Sequence, residues 1–253
     1  MINSRICLNN QPAIVLHYYN YRDSSLIVNL FLSDEGKINV IAKGVKQKKN
    51  RQLTALLQPF NKLTVSLSGK QDLLNLRTVE ATEGGWKLAG KSLYCAYYIN
   101  ELLLRLLPSH CDCQEIFSLY DQILKMLESA SLMTQSGSLE SADYEIPLRI
   151  FELKLLELLG YGLNLGFTID NGHAISAQQS YYYSIDSGAK RIKPEQENYC
   201  KLSGQTLLNL EKLHFPDKRT LVESKQLLKC VLAEHLGNKP LKSRQLYKEL
   251  YCL

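Results

Sequence analysis

The first eighty residues alternate between apolar and polar side chains with a period near two, which is the repeat of half-buried β-strands. Three such runs lie at Ala13–Tyr21, Ser25–Ser33 and Lys37–Lys43, with turn residues between them. Two more strands are predicted at Leu57–Ser68 and Asp72–Glu80. Five short strands in one segment are typical of a small barrel of the OB type, whose sheet face and loops bind oligonucleotides.

Beyond Gly85 the apolar positions take the spacing of helices, and proline, glycine and serine mark where the helices end. Helices are predicted at Trp86–Leu107, Glu115–Glu128 and Pro147–Gly160, and at about 203–213, 217–237 and 242–252. The serine-rich stretch 129–143 is predicted to be a mobile loop, and 161–199 to be irregular with a small hairpin around 181–192. We therefore predict an α+β fold, with an N-terminal OB-fold β-barrel at 1–82 that binds nucleic acid. An all-helical domain follows at 83–253, with an irregular insert at about 163–200.

Cysteine usage and hydropathy indicate where the protein works. The seven cysteines have no regular spacing, and the N-terminus lacks the apolar run of a signal peptide. No apolar stretch approaches the roughly 20 residues that cross a bilayer. We expect free thiols in a reducing cytoplasm and no membrane span.

The positive charge is concentrated in one segment. Residues 36–71 contain eight lysines and arginines and no acid, whereas the other 217 residues carry 22 basic and 25 acidic side chains. Five of the basic residues, Lys43, Lys46, Lys48, Lys49 and Arg51, follow the third predicted strand. Such a field attracts polyanions by counterion release, which favours nucleic acid as the partner and an acidic protein tail as the second candidate. A solvated surface loop is the alternative.

Aromatic residues strengthen the nucleic-acid interpretation. Tyr18, Tyr19, Tyr21 and Arg22 end the first predicted strand, and single strands are held by cationic grooves with aromatic or guanidinium faces for base stacking. Some of these tyrosines must belong to the core, because successive strand residues point to opposite faces.

Two motifs suggest other chemistry, and the sequence around both argues against it. Gly85–Ser92 fits the phosphate-loop pattern G-x-x-x-x-G-K-[ST], but bulky apolar residues fill it and no strand ending in aspartate follows. A nucleotide-hydrolysing enzyme using this loop is kept as a competing hypothesis. His110–Cys113 offers three soft ligands without the usual zinc spacing, so structural thiols are the expected role. No nucleophile motif occurs. We predict no enzyme, no metal site and no cofactor.

Short motifs follow one another in a fixed order along nearly the whole chain. The first half contains A-I-V-L-H at 13–17, R-D-S-S at 22–25, V-I-A-K-G at 40–44, L-Q-P-F at 57–60 and Y-I-N-E-L at 98–102. The second half contains L-R-I-F-E at 148–152, leading to G-Y-G at 160–162, and K-P-L-K-S-R at 239–244. In this order the motifs resemble the RecO family of bacterial recombination mediators, and the last two are similar to its proteobacterial branch.

The resemblance implies a non-enzymatic DNA repair protein. Family members bind single- and double-stranded DNA, anneal complementary strands, and with RecR help to load the RecA recombinase onto DNA coated by single-strand-binding protein (SSB). A protein of this kind is expected in the cytoplasm, associated with the nucleoid. Many relatives carry a four-cysteine zinc module after G-Y-G, but residues 161–199 contain no cysteine, so no zinc is expected. An RNA-binding OB-fold protein is a further alternative.

The resemblance also assigns site residues. It implies DNA contacts by Lys43, Lys46, Lys48, Lys49, Arg51 and Arg22. A second basic cluster near the C-terminus contains Lys239, Lys242 and Arg244. This cluster either extends the DNA path or interacts with helix dipoles. Arg149, flanked by Leu148 and Phe151, matches the cation that docks the carboxylate of the acidic, phenylalanine-ended SSB tail. The alternative is that Arg149 only pairs with a neighbouring glutamate.

Overall fold

The computed structural model describes residues 6–47, 50–70, 73–82, 84–109, 111–135, 144–185, 188–193, 199–237 and 239–251. The chain forms two compact units. The first consists of residues 1–135 together with 241–253, and the second of residues 136–240. The domain boundary predicted near residue 82 stays a prediction.

Five strands in the first unit close into a barrel. They are β1 (Ile6–Tyr21), β2 (Ser25–Leu32), β3 (Gly36–Ala42), β4 (Lys62–Lys70) and β5 (Leu73–Ala81), in the order β1-β2-β3-β5-β4 with β1 also pairing with β4. All the pairs are antiparallel except β3 and β5, whose parallel pairing completes the barrel. Alternate residues of the strands fill its interior with Val15, Val28, Val40 and Val65, all buried. The predicted OB-like barrel and the α+β class are confirmed.

The segment between β3 and β4 differs from the prediction. A short helix, α1 (Arg51–Leu56), precedes β4, and β4 begins at Lys62 rather than at Leu57. The Asn61 side chain donates hydrogen bonds to the carbonyls of Ala55 and Leu56 at the end of the helix. Phe60 has a left-handed backbone, with a φ of 72°, which interrupts extended structure before the strand starts.

Three helices pack in the first unit beside the barrel: α2 (Lys91–Leu106), α3 (Gln114–Gln135) and α7 (Lys242–Tyr251). The buried Asn100 of α2 connects them to the barrel, because its amide donates to the Leu16 carbonyl of β1 at 2.8 Å. Its carbonyl oxygen accepts a hydrogen bond of 2.7 Å from the Tyr120 hydroxyl of α3. The helices therefore depend on specific polar bonds as well as on apolar packing.

The second unit combines helices with a small sheet. Its helices are α4 (Glu145–Leu158), α5 (Gly204–Glu211) and α6 (Lys218–Leu236), and its sheet has the order β7-β6-β8 with β6 (Ser180–Ser184), β7 (Gly188–Lys190) and β8 (Cys200–Ser203). The predicted hairpin corresponds to β6 and β7. The third strand corrects the all-helical description of this part of the chain. The predicted loop at 129–143 begins with the last turns of α3, and residues 136–143 lie outside the described residues.

Candidate nucleic-acid interface

A cleft of about 900 Å³ opens where the β1–β2 turn faces the segment that leaves β3. Its lining comes from Tyr21, Arg22, Asp23, Ser24, Ser25, Ile41, Lys43, Gly44, Gln47, Asn50 and Asn75. Two of these side chains are basic and one is acidic. In OB folds this is the region of the connecting loops that bind oligonucleotides.

Hydrogen bonds and one buried anchor hold residues 43–47 and Asn50 in place. Val45 is fully buried in the barrel core, and its carbonyl accepts a hydrogen bond from the Thr54 hydroxyl of α1. The Lys46 amide donates to the Ser24 carbonyl, which ties the segment to the β1–β2 turn at 3.1 Å. The Asn50 side chain donates to the Gly44 carbonyl at 2.8 Å. A loop fixed in this way presents its charges without first being ordered by a ligand.

The predicted basic residues of this loop lie on the surface as far as the structure describes them. Lys43, Lys46 and Arg51 are exposed, whereas Lys48 and Lys49 fall outside the described residues. Arg22 is also exposed and places its guanidinium 5.1 Å from the centre of the Tyr21 ring. The cleft therefore brings Arg22 and Lys43 together from segments about twenty residues apart in the chain.

The tyrosines of β1 divide between the core and the surface, as alternation requires. Tyr18 packs against the barrel core, whereas the neighbouring Tyr19 is 52% exposed and Tyr21 lines the cleft. His17 meets Tyr19 edge-on, with ring centroids 4.5 Å apart. The exposed part of β1 is thus an aromatic surface that continues from the cleft along the strand.

Two lysines of the segment 36–71, which contains no acidic residue, have structural roles and do not line the cleft. Lys37 donates a hydrogen bond of 2.7 Å to the Leu104 carbonyl of α2, and burial lowers its pKa. Lys62 forms an ion pair of 2.6 Å with Asp121 of α3 and lies 4.3 Å from the centre of the Trp86 ring. These two charges attach the barrel to its helices.

The C-terminal basic cluster belongs partly to the same unit as the barrel. The Glu101 carboxylate of α2 accepts hydrogen bonds from the amides of Lys242 and Ser243, both at 2.9 Å, and so caps the first turn of α7. Lys242 is exposed, and its charge lowers the pKa of His17 in addition to the larger effect of burial. Glu101, which accepts a hydrogen bond from the Lys242 amide, follows Asn100, which bonds to the Leu16 carbonyl beside His17, so α7 begins near this part of β1.

The helix-dipole alternative for this cluster does not hold for α7. Lys242 and Arg244 lie in the first turn, the positive end of the dipole, where cations are not stabilised. Arg244 instead donates a hydrogen bond of 2.9 Å to the Tyr98 hydroxyl. Lys239 is exposed just beyond the end of α6.

The residues predicted to dock the SSB tail lie on α4 of the second unit. Arg149 is only 4% exposed, and its Nη1 lies 3.1 Å from Oε2 of Glu152, which is fully buried. This is the ion pair that the alternative interpretation expected. Phe151 is fully buried, whereas Leu148 is half-buried. Nη1 of Arg149 faces Glu152 in this ion pair, and within the described part of the chain Nε has no hydrogen-bond acceptor.

The phosphate-loop pattern does not form a phosphate loop. Ser92 is fully buried, and its hydroxyl is hydrogen-bonded to the backbone of Ala89, so it is not placed to hold magnesium. Helix α2 starts at Lys91 rather than at Trp86, after a segment without regular secondary structure in which Trp86 packs edge-on against Tyr120. The predicted helical turn at 86–89 is therefore wrong, although the packing of this segment on other parts of the protein is as expected.

The described residues contain no group of three or more His, Cys, Asp or Glu side chains placed to hold a metal ion. Cys113 is buried, which raises the pKa of its thiol to about 12, and His110 is outside the described residues. Residues 161–199 contain one histidine and no cysteine, so they do not fit a tetrahedral zinc site. Over the same described ranges, none of the helices is both long and apolar enough to cross a bilayer.

Sequence reasoning missed His17, Gln47, Asn50 and Asn75. The polar side chains of the cleft carry no motif, because only the closure of the barrel brings β5 next to the β3 exit. The alternation of β1 makes His17 a barrel surface or core residue, and no local pattern indicates that the Lys242 charge acts on it.

Comparison with known proteins covers both units. The family model described as Recombination protein O N terminal matches residues 7–84, and the one described as Recombination protein O C terminal matches residues 88–245. The chain is 39% identical over 245 residues to the DNA repair protein RecO of Methylococcus capsulatus, covering 97% of this chain and 94% of the relative. It is 40% identical over 240 residues to the DNA repair protein RecO of Nitrosococcus oceani, with 95% and 93% covered. The corresponding protein of Dechloromonas aromatica is 36% identical over 249 residues, with 98% and 99% covered.

Proposed function

Because this chain belongs to the RecO family of DNA repair proteins, we propose that it is a non-enzymatic recombination mediator that holds DNA in the cleft of its barrel. With RecR it would help to load RecA onto single-stranded DNA coated by SSB, in the cytoplasm at the nucleoid. The observation that carries the proposal is the cleft lined by Arg22, Lys43 and Tyr21, with Lys46 and Arg51 exposed on the same loop and helix.

The chemistry of the cleft suits a DNA strand. Guanidinium and ammonium groups neutralise phosphates and release counterions, and an adjacent aromatic ring offers a face on which a base stacks. Asp23 is the one acidic residue of the lining, so it opposes binding and limits the affinity. The contacts involve charge and stacking rather than base edges, which favours binding without sequence preference.

The aromatic surface of β1 gives the strand a path beyond the cleft. From Tyr21 this surface continues to the exposed Tyr19 and to His17, whose pKa is lowered by burial and by the charge of Lys242. A strand lying along this path would meet cations at both ends and tyrosine rings between them. Proximity of a phosphate would raise the pKa of His17, opposite to the effect of Lys242.

The test is fluorescence anisotropy of a labelled single-stranded oligonucleotide across a salt series. Lys43→Ala with Lys46→Ala should weaken binding and reduce the slope of log affinity against log salt by about 1.4, since each phosphate contact contributes about 0.7 on single strands. Lys212→Ala with Lys229→Ala removes the same charge from exposed positions outside the cleft and is the matched control. Asp23→Asn should tighten binding.

An unchanged slope in the cleft variant, or an equal loss in the control variant, would overturn the assignment of the cleft. A matched RNA strand belongs in the same series, because an RNA preference would replace DNA as the proposed ligand. Adding ATP with magnesium to a thermal melt tests the phosphate-loop hypothesis, which requires a shift that Lys91→Ala removes.

For the SSB tail we propose docking on α4, with Arg149 as the cation and Leu148 on the apolar side of the pocket. The support is a buried guanidinium whose Nε has no acceptor in the described part of the chain, although its Nη1 forms an ion pair with Glu152. A terminal carboxylate is the ligand that such a fork binds best. Phe151, being fully buried, would shape the pocket from the core rather than contact the tail.

Testing Arg149 requires variants that keep the fold. Replacing Arg149 alone leaves the buried Glu152 charge without its counter-ion, a change that costs about 3–5 kcal/mol in comparable pairs. Arg149→Met combined with Glu152→Gln removes both charges together. This double variant should lose binding of an acidic peptide that ends in phenylalanine. Glu152→Gln alone keeps the guanidinium and removes its competitor, but it leaves a buried charge without its counter-ion, so its fold is first checked by circular dichroism. If it is folded, it should bind at least as well as wild type. Wild-type affinity in the double variant would exclude Arg149 from the site.

Two moderate contacts to one SSB-coated strand raise the effective concentration of the protein on that strand, so neither contact has to be tight. A variant that combines the cleft changes (Lys43→Ala with Lys46→Ala) with the α4 changes (Arg149→Met with Glu152→Gln) should therefore lose more RecA loading on SSB-coated DNA than either pair alone. A RecA-filament assay with RecR present measures this directly. A combined variant that loses no more than the weaker of the two single sets would argue against two contacts to one strand.

A further inference from the structure

The three-stranded sheet of the second unit has one buried face and one outward face, and the difference lies in β6. Tyr181 and Tyr183 are buried, and Tyr182 between them is only partly covered. Because successive strand residues point to opposite faces, Tyr182 lies on the outward face together with Ser180 and Ser184.

The strand register places a lysine on each side of Tyr182. Lys190 of β7 is its direct partner on one side, and Lys201 of β8 is its direct partner on the other. Directly paired residues lie on the same face of a sheet, so Lys190 and Lys201 flank Tyr182 on this face. None of the residues in these three strands is aspartate or glutamate.

A second ring and a third lysine extend this surface. Tyr199, which precedes β8, meets Tyr182 edge-on with centroids 5.1 Å apart. Lys193 places its Nζ 5.8 Å from the centre of the Tyr199 ring. The neighbouring Ile192 is 78% exposed. Residues 188–203 carry four basic and two acidic side chains, a net charge of +2.

We infer that this face, defined by Tyr182, Tyr199, Lys190, Lys193 and Lys201, is a second contact surface for single-stranded nucleic acid. Tyrosine rings flanked by lysines bind both parts of a strand, because bases stack on the rings while phosphates pair with the ammonium groups. An acidic peptide would use the lysines but offers at most an occasional aromatic ring, whereas every nucleotide carries a flat base beside a phosphate, so the combination favours a nucleic acid.

A second strand site adds a capacity that the barrel cleft alone does not provide. The inference rests on the proposed function for the first strand, which the cleft holds. A protein with two such surfaces can carry two strands at the same time. This is what bringing complementary strands together physically requires.

The experiment measures binding of a second strand to the full-length chain. The protein is mixed with one equivalent of a donor-labelled oligonucleotide, a non-complementary acceptor-labelled oligonucleotide is titrated in, and energy transfer reports simultaneous binding. Tyr182→Leu keeps an apolar strand residue without a ring and should weaken second-strand binding by about fivefold or more, the lower end of the stacking contribution of one base. Tyr182→Phe keeps the ring and should bind as wild type. Lys190→Ala with Lys201→Ala should reduce the salt slope of second-strand binding by about 1.4.

The outcomes separate this inference from the assignment of the cleft. Binding of the first strand that depends on Lys43 and Lys46, with second-strand binding lost in Tyr182→Leu, supports both. If wild type binds only one strand, or if Tyr182→Leu binds the second strand as wild type does, the inference is overturned while the cleft stands. If the cleft variant binds both strands normally, the proposed function of the cleft fails separately. Binding of a polyglutamate peptide in place of the second oligonucleotide would identify an acidic-peptide surface and also overturn the inference.

Discussion

Asn100 is the residue whose replacement most directly tests how the barrel is attached to its helices. It is buried, and it bonds to the Leu16 carbonyl at 2.8 Å and to the Tyr120 hydroxyl at 2.7 Å. Asn100→Leu keeps the approximate size of the side chain but leaves one buried acceptor and one buried donor unsatisfied. Each orphaned group costs about 1–3 kcal/mol, so the variant should lose about 4 kcal/mol.

That loss is a large part of the stability of a typical domain, which is about 5–15 kcal/mol. For a protein of this size it corresponds to a decrease in Tm on the order of 10 °C. Tyr120→Phe removes only the hydroxyl and should cost about 1–2 kcal/mol by leaving the Asn100 carbonyl without this donor. The two changes share a bond, so the double variant should lose less than the sum of the single losses.

The assay is urea unfolding followed by tryptophan fluorescence. Trp86 is the single tryptophan of the chain and packs against Tyr120 with ring centroids 5.6 Å apart, so it reports on the unit that the change affects. Gln122→Leu, at an exposed position of α3, is the control and should stay within about 0.5 kcal/mol of wild type. The reasoning is refuted if Asn100→Leu also stays within that range, or if the double variant loses the full sum.

Three further predictions concern ionisation. Burial and, to a smaller extent, the charge of Lys242 lower the pKa of His17 below 6.5. Because the unfolded chain binds the proton more tightly, the free energy of unfolding decreases as the pH drops from 6.5 through the folded pKa. Lys242→Ala should raise the pKa of His17 in an NMR titration. Burial alone would raise the pKa of Asp121, but its hydrogen bonds with Lys125 and Lys62 outweigh burial and lower the pKa below 3.8. Stability is therefore lost as the pH falls through the folded pKa. Asp121→Asn should remove that part of the acid dependence of Tm in thermal unfolding. Burial raises the pKa of Cys200 to about 12, so its thiol carries almost no reactive thiolate at about pH 8. After treatment with iodoacetamide at that pH, mass spectrometry should find Cys200 unmodified and the exposed Cys7 alkylated. Equal labelling of the two cysteines would contradict this.

The periodicity of apolar residues predicted the strands and helices that are long enough to show a repeat. Alternation in β1, β2 and β3 predicted the barrel strands, and helical spacing predicted α2 to α7, because each of these elements buries one face against the core of its own unit. Helix α1 was missed because six residues are too few to show a helical period. Strand β8 was missed because four residues give little alternation, and their pairing partner lies about twenty residues away.

The candidate sites depended more on tertiary packing. The sequence located the charged loop, but nothing in it distinguishes Lys43, which lines the cleft, from Lys37, which bonds to a helix carbonyl 67 residues away. The same holds for Arg149, whose burial beside Glu152 depends on how α4 packs in its unit. Residue type and spacing identify candidate ligands, but burial decides which of them are available.

The order of the segments along the chain has a consequence for biosynthesis. Helix α7 completes the first unit by docking on Glu101, yet in the chain it follows the whole of the second unit. A ribosome that has translated the barrel, α2 and α3 must therefore produce residues 136–240 before the first unit can acquire its last helix. Until then, the surface of α2 that receives α7 is uncovered on the nascent chain. A chain cut short inside the second unit would keep that surface exposed, and cellular quality control could recognise it as incomplete.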